Sequence, residues 1–204
     1  MSKHVSKISR VALFLPLAYL VLQAVQGDLG VQPAKKLNRE LGTIGVRLLL
    51  LNLYLGIAIA LWKPLPVLIR PIARERRWLG VACFAYLVLH VSFYFIETAD
   101  LEQAIHQMYT KRYLIFGTLA FSIIALLAAT SNNFSVRRLG FKKWKRIHRT
   151  VYLALTLASI HVLSIEKGDT VMALIYFVPV GILEGFRLAR SLLHARRAKT
   201  GSAH

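Results

Sequence analysis

The chain has 204 residues, is 56% hydrophobic with a mean hydropathy of +0.52, and carries a formal charge of +18. Its apolar residues come in long blocks, which excludes an ordinary soluble domain and reads as a polytopic membrane protein. The Lys and Arg residues fall in short clusters between those blocks, where they set topology and leave no soluble nucleic-acid footprint; the single Cys83 supports neither a disulfide framework nor a thiolate metal cage.

Taken in chain order, six apolar segments predict transmembrane helices: Val11–Gln26, Ile44–Trp62, Trp78–Ile96, Tyr113–Thr130, Val151–Ile165 and Val171–Leu188. The first and fifth are short against the ~20 residues a bilayer core requires. The fifth extends back to Ile147 or His148, and the first borrows Ile8 to Arg10 by snorkelling. Lys3, Lys7 and Arg10 give the first segment the look of a secretory signal, but no convincing small-residue cleavage site follows it, so it is read as a span. Lys63-Pro64-Leu65-Pro66 closes the second span, and Gly168-Asp169 makes a tight turn between the last two. No internal repeat or low-complexity tract is visible. The expected fold is all-α, a six-helix membrane bundle forming one domain over residues 1–204, with short basic tails at about 1–10 and 190–204.

Lys and Arg decide the orientation. The N-terminal tail has 3, the 63–77 loop 5, the 131–150 loop 7 and the chain from Arg187 onward 5, so 20 lie on one side. The other side has 6, and Arg47 lies within a span. This bias predicts both termini in the cytoplasm.

Three histidines stand in or beside apolar spans. His90 is twelve residues past Trp78, about 18 Å along a helix, and His161 is thirteen past His148, about 20 Å. Both spans run outward, so His90 and His161 share a depth near the outer leaflet on different helices. Imidazoles so placed suit an iron bridged between two axial ligands. Small Ala154, Ala158 and Ser164 beside His161 leave room for a flat macrocycle, and Tyr86, Phe93 and Tyr94 beside His90 can border it. The bland alternative is two polar side chains hydrogen-bonded between helices.

His148 differs from His161 by about 220° of helical turn, so the two rings do not face one neighbour on an ideal helix. The inner position matching His148 on the third span is Arg77, which stays protonated and is no ordinary iron ligand. Arg77 and His148 together edge an inner site for a heme propionate, flavin phosphate or quinone oxygen, or else are interfacial cations. Arg47, near the outer end of the second span, either snorkels or pairs with a heme propionate. Glu184 has Arg187 at i+3, which predicts a local ion pair. The basic run from Arg137 to Arg146, anchored by Trp144, lies at the inner interface against anionic lipid headgroups, and it can equally attract a flavin phosphate or an acidic cytosolic reductase. His4, His106, His194 and His204 make no ligand constellation.

Arg76-Arg77-Trp78-Leu79-Gly80, Tyr86-Leu87-Val88-Leu89-His90 and the block from Trp144 to Tyr152 with His161 resemble the MsrQ (YedZ) family, relatives of the ferric reductase transmembrane domain. The resemblance covers nearly the whole chain, including Gly27-Asp28-Leu29-Gly30. It implies a heme b subunit of the bacterial inner membrane that passes electrons outward to a periplasmic molybdopterin-containing methionine sulfoxide reductase, for repair of oxidised proteins. It also implies FMN, and electrons drawn from the quinone pool or a cytosolic flavin reductase. His90, His148 and His161 inherit heme-ligand candidacy, whereas Arg77 departs from the ferric reductase pattern and leaves a second heme open.

The leading expectation is therefore an electron-transfer subunit that is not a self-sufficient enzyme. A stand-alone transmembrane ferric or quinone reductase and a histidine-relay transporter are the alternatives.

Overall fold

In the computed structural model, residues 10–62, 64–67, 69–165 and 170–201 are described. Lys3, His4, Lys7, Lys63, the Gly168-Asp169 turn and His204 lie outside them, as does the side chain of His194.

A helical turn at 10–12 leads into α1 (Leu15–Gln26), with Pro16 in its first turn, where its missing N–H costs nothing. Gly27, at φ 76°, ends α1 in the left-handed conformation, and the amides of Gly27 and Asp28 cap the carbonyls of Ala24 and Gln23. Pro33 opens α2 (Pro33–Leu61), which stops before the Pro64-Leu65-Pro66 segment. The short α3 (Arg70–Arg74) runs into α4 (Arg76–Thr98). Asp100 then caps α5 (Leu101–Thr110) by accepting from the Gln103 amide at 3.0 Å. After α6 (Arg112–Ala129), Asn132 caps α7 (Asn133–Leu139) in the same way, and α8 (Phe141–His148) leads into α9 (Val151–Leu163). The last helix, α10 (Thr170–Gly201), contains Pro179.

Among the described residues three helices, α2, α4 and α6, are long and apolar enough to cross a membrane, and α1 is a shorter apolar helix. At 1.5 Å per residue α2 spans about 43 Å, more than the ~30 Å hydrocarbon core. The two expected basic inner loops are partly helical: α3 occupies the first, and the paired α7 and α8 the second. Many large apolar side chains face outward, among them Val21, Leu22, Val25, Leu119, Leu126 and Leu153. A water-soluble protein would bury such a surface; a bilayer covers it.

Packing divides the bundle into two closely joined pairs, α2 with α4 and α6 with α9, linked by α4 against α6 and buttressed by α10 on α2. One core joins Leu49, Leu50, Leu53 and Ile57 of α2 to Cys83, Ile124, Ala154 and Val180. Close approach of α2 and α4 depends on Gly45, where a Cβ would lie 2.7 Å from Leu87 Cδ2; its carbonyl accepts from Cys83 Sγ at 3.3 Å. A smaller cluster of Leu20, Leu41 and Tyr86 seats α1.

Tyr86 supplies more than apolar area. The chain breaks just before α1, so Leu17 N–H and Leu13 C=O, the partners of an uninterrupted helix, do not meet. The buried Tyr86 hydroxyl sits between them, accepting from Leu17 N at 3.2 Å and donating to Leu13 O at 2.9 Å. Before that break, Arg10 pairs with Glu75 at 2.9 Å and lies over the Trp78 ring.

Candidate functional site

His90 is carried by α4 and His161 by α9, one from each closely packed helix pair. Their ring centres are 6.5 Å apart with planes at 76°. Two iron–nitrogen bonds of ~2.0 Å, with ~1.2 Å from each nitrogen to its ring centre, would set the centres of two such imidazoles about 6.4 Å apart. The observed separation fits a metal held between the rings.

The hydrogen bonds fix the state of both rings. His90 Nδ1 lies 2.8 Å from Asn38 O on α2, and His161 Nδ1 lies 2.7 Å from Tyr113 O on α6. A backbone carbonyl has no proton to give, so each Nδ1 is the N–H donor, and in the neutral ring each Nε2 keeps a free lone pair. Metal-binding histidines are oriented in this way, and the bond raises the basicity of the coordinating nitrogen. The donor set is therefore two neutral imidazoles in the iron-binding tautomer, which suits heme. Among the described residues no group of three or more His, Cys, Asp or Glu forms a metal cage.

The aromatic residues expected around His90 lie elsewhere. Tyr86 is turned to α1, Phe93 packs in the Leu20–Leu41 cluster, and the Tyr94 hydroxyl donates to Ala104 O on α5 at 3.2 Å. A ring neighbour missed in the sequence is Tyr113, whose ring centre is 5.9 Å from that of His161; elsewhere the stacked pair Phe84–Phe121 joins α4 to α6. Ala154 and Ala158 are buried, as small residues at a helix contact should be.

His148 belongs to a different place, at the C-terminal end of α8. Its ring stacks on Trp144 at 4.0 Å, and its Nε2 lies 3.1 Å from the Thr130 hydroxyl, which also contacts the Leu126 and Leu127 carbonyls. Trp144 Nε1 donates to Thr130 O, so α8 is tied to the end of α6. The Arg77 guanidinium is close enough to act on the His148 ring through its charge. Arg77 donates to Asn133 Oδ1 at 2.7 Å. Arg77 and His148 are thus neighbours, and both are apart from the His90–His161 pair.

Arg47 does not approach that pair. Its position on α2 is roughly 160° around the helix from Asn38 and Gly42, which face His90. Its Nε and Nη2 donate to the Tyr176 hydroxyl at 3.0 and 2.8 Å, and it lines a groove of about 510 Å3 between α1 and α2 with Tyr19, Gln23, Lys36 and Glu40. On α10, Glu184 pairs with Arg187 at 2.6 Å as expected, and Arg187 also donates to the Tyr152 hydroxyl. Arg76 donates to Asn52 Oδ1 at 2.9 Å while Asn52 Nδ2 donates to Arg76 O at 3.0 Å, a reciprocal bond between α2 and α4.

Residues 41–159 match the family described as ferric reductase like transmembrane component. That stretch holds Arg77, His90 and His148 and stops two residues short of His161. Among curated relatives, the protein-methionine-sulfoxide reductase heme-binding subunit MsrQ of Caulobacter vibrioides is 38% identical over 81% of this chain and 77% of its own length. The MsrQ of Rhodospirillum rubrum is 34% identical over 98% of this chain and 96% of its own. That of Brucella ovis is 30% identical over 90% and 81%.

Proposed function

The chain belongs to the MsrQ family of ferric reductase-like transmembrane proteins, and from that membership we propose that it is a heme b electron-transfer subunit of a methionine sulfoxide reductase system in the bacterial inner membrane. The observation that carries this reading is the His90–His161 pair: two imidazoles from two helices, 6.5 Å between centres, each with Nδ1 committed to a backbone carbonyl.

Bound between them, heme b supplies a one-electron iron couple in a setting where bis-imidazole ligation favours electron transfer. The residues of the chain hold and insulate it. Asn38 O and Tyr113 O orient the rings, α5 closes over α4 and α6, and lipid-facing side chains keep bulk water away. The same geometry disfavours a histidine proton relay, which needs each ring to exchange protons through both nitrogens; a carbonyl partner blocks one of them.

In this reading all six segments cross the membrane, both termini are cytoplasmic and residues 1–204 form one domain. The charge bias along the chain supports that orientation. Electrons enter from the quinone pool or a cytosolic flavin reductase and leave to a periplasmic molybdopterin-containing methionine sulfoxide reductase subunit. A single heme near the outer face is far from a cytosolic donor. The inner residues Arg77 and His148, beside the basic α7–α8 pair, therefore edge a relay cofactor, either FMN held through its phosphate or a second heme. Arg47, held by Tyr176 in this structure, is assigned to the groove it lines and not to a propionate of the outer heme.

The test is anaerobic. The chemically reduced, heme-loaded protein in detergent is mixed with the purified periplasmic subunit and methionine sulfoxide. Reoxidation of the heme band only when both are present is the expected result. Rapid reoxidation by a ferric chelate or a short-chain quinone, with no response to the periplasmic subunit, would favour a stand-alone reductase and overturn the subunit reading.

A further inference from the structure

The two histidines are held by the same local arrangement built twice. On α2, the carbonyl that receives His90 Nδ1–H belongs to Asn38, and Gly42 follows four residues later; on α6, the carbonyl that receives His161 Nδ1–H belongs to Tyr113, and Gly117 follows four residues later. In each helix that carbonyl is also the regular acceptor for the glycine amide, so the imidazole uses its second lone pair. To get there the ring must lie on the helix surface directly over the glycine.

The space over each glycine is nearly identical. A Cβ at Gly42 would lie 2.8 Å from His90 Nδ1, 3.0 Å from Cε1 and 3.4 Å from Cγ. One at Gly117 would lie 2.8, 3.0 and 3.3 Å from the same atoms of His161. Real Cβ contacts are not that short, so any other residue pushes the ring off the carbonyl. Neither glycine has a positive φ, so backbone freedom is not the reason for it. Both stand inside helices, where glycine costs about 0.5–1 kcal/mol relative to alanine.

We propose that Gly42 and Gly117 are positioning residues, each admitting one imidazole to the carbonyl four residues before it, so that both histidines are fixed in the iron-binding tautomer before any cofactor enters. The proposal rests on the heme reading above and extends it to residues that touch neither iron nor substrate. It predicts that one methyl group at either position changes the ligand field of the metal. Partners of this outer kind typically govern roughly 10- to 100-fold in metal affinity.

The experiment compares four variants of the full chain. Gly42→Ala and Gly117→Ala place the methyl against an imidazole. Gly45→Ala places one 2.7 Å from Leu87 on the same helix contact, and Gly185→Ala places one where nothing lies within 4 Å. Heme retention and the optical and electron paramagnetic resonance spectra are recorded for each. In parallel, 15N spectra of the heme-free wild type report the tautomer of each histidine. The expected result is high-spin conversion, at least tenfold weaker heme retention and a raised midpoint potential in Gly42→Ala and Gly117→Ala only, with two histidines locked as Nδ1–H in the heme-free protein. Equal spectra in all four variants, or mixed tautomers in the heme-free wild type, would overturn the proposal. Should an alanine variant not accumulate, the tautomer measurement decides alone. A wild type that takes up no heme defeats the heme reading, while the tautomer measurement still judges the glycines.

Discussion

Replacing Tyr86 with phenylalanine removes one oxygen atom and leaves the buried ring in place. That oxygen accepts from Leu17 N–H and donates to Leu13 C=O across the break that precedes α1. Without it, one backbone donor and one acceptor stand unpaired beside Leu20 and Leu41, where the tyrosine is 1% exposed. Each unsatisfied buried group costs about 1–3 kcal/mol, so Tyr86→Phe, which leaves two, should destabilise the docked α1 by about 2–6 kcal/mol. This range corresponds to a shift in its docking equilibrium of roughly 30-fold or more. Hydrogen exchange followed by mass spectrometry in detergent should show residues 13–20 losing protection while α2 and α4 keep theirs. The apparent melting temperature should fall by several degrees, and the heme spectrum should persist because the hydroxyl faces α1. If α1 closes its own gap by a direct Leu13–Leu17 bond, the cost drops below about 1 kcal/mol, as for many intramembrane hydrogen bonds. Unchanged protection over residues 13–20 would refute the bridging role.

Asn52→Leu breaks the reciprocal bond with Arg76 and leaves a partly buried guanidinium without its amide partner. A loss of about 1.5–3 kcal/mol is expected, from the usual worth of hydrogen bonds to charged groups, measured by thermal unfolding against the exposed Arg47→Leu, which should cost less than about 1 kcal/mol. His148→Ala should keep the low-spin heme of the His90–His161 site but slow its reduction by an inner-side donor, read by stopped flow against reduction by dithionite. A His148→Ala protein lacking all heme would contradict the division between outer ligands and inner relay.

That His90 and His161 come level on two helices was legible in the sequence because rise per residue converts position along a helix into a level once its end is fixed. The Glu184–Arg187 pair was legible for a similar reason, since i and i+3 meet on any helix. Tyr86, Phe93 and Tyr94 share helical spacing with His90, yet α1 and α5 claim those side chains. Spacing along one helix identifies a face and not the helix that covers it. The basic stretch from Arg137 to Arg146 reads as a loop by charge alone, but Asn132 caps it and Gly140, at φ 74°, divides it into two short helices. The duplicated carbonyl, glycine and histidine arrangement escaped notice because its residues come from different helices. His90 follows Gly42 by 48 positions and His161 follows Gly117 by 44, with no other residue in common. Arg47 read as a snorkelling cation or a propionate partner because the group it binds, Tyr176, is 129 residues away.

The central claim is tested most directly by the reduced-minus-oxidised absorption spectrum of the detergent-purified protein, with heme quantified, for wild type, His90→Ala and His161→Ala. A low-spin b-type spectrum in the wild type, lost or converted to high spin in both variants, is the predicted result. A wild type that stays colourless after heme supplementation, or two variants that retain the full low-spin spectrum, would contradict it.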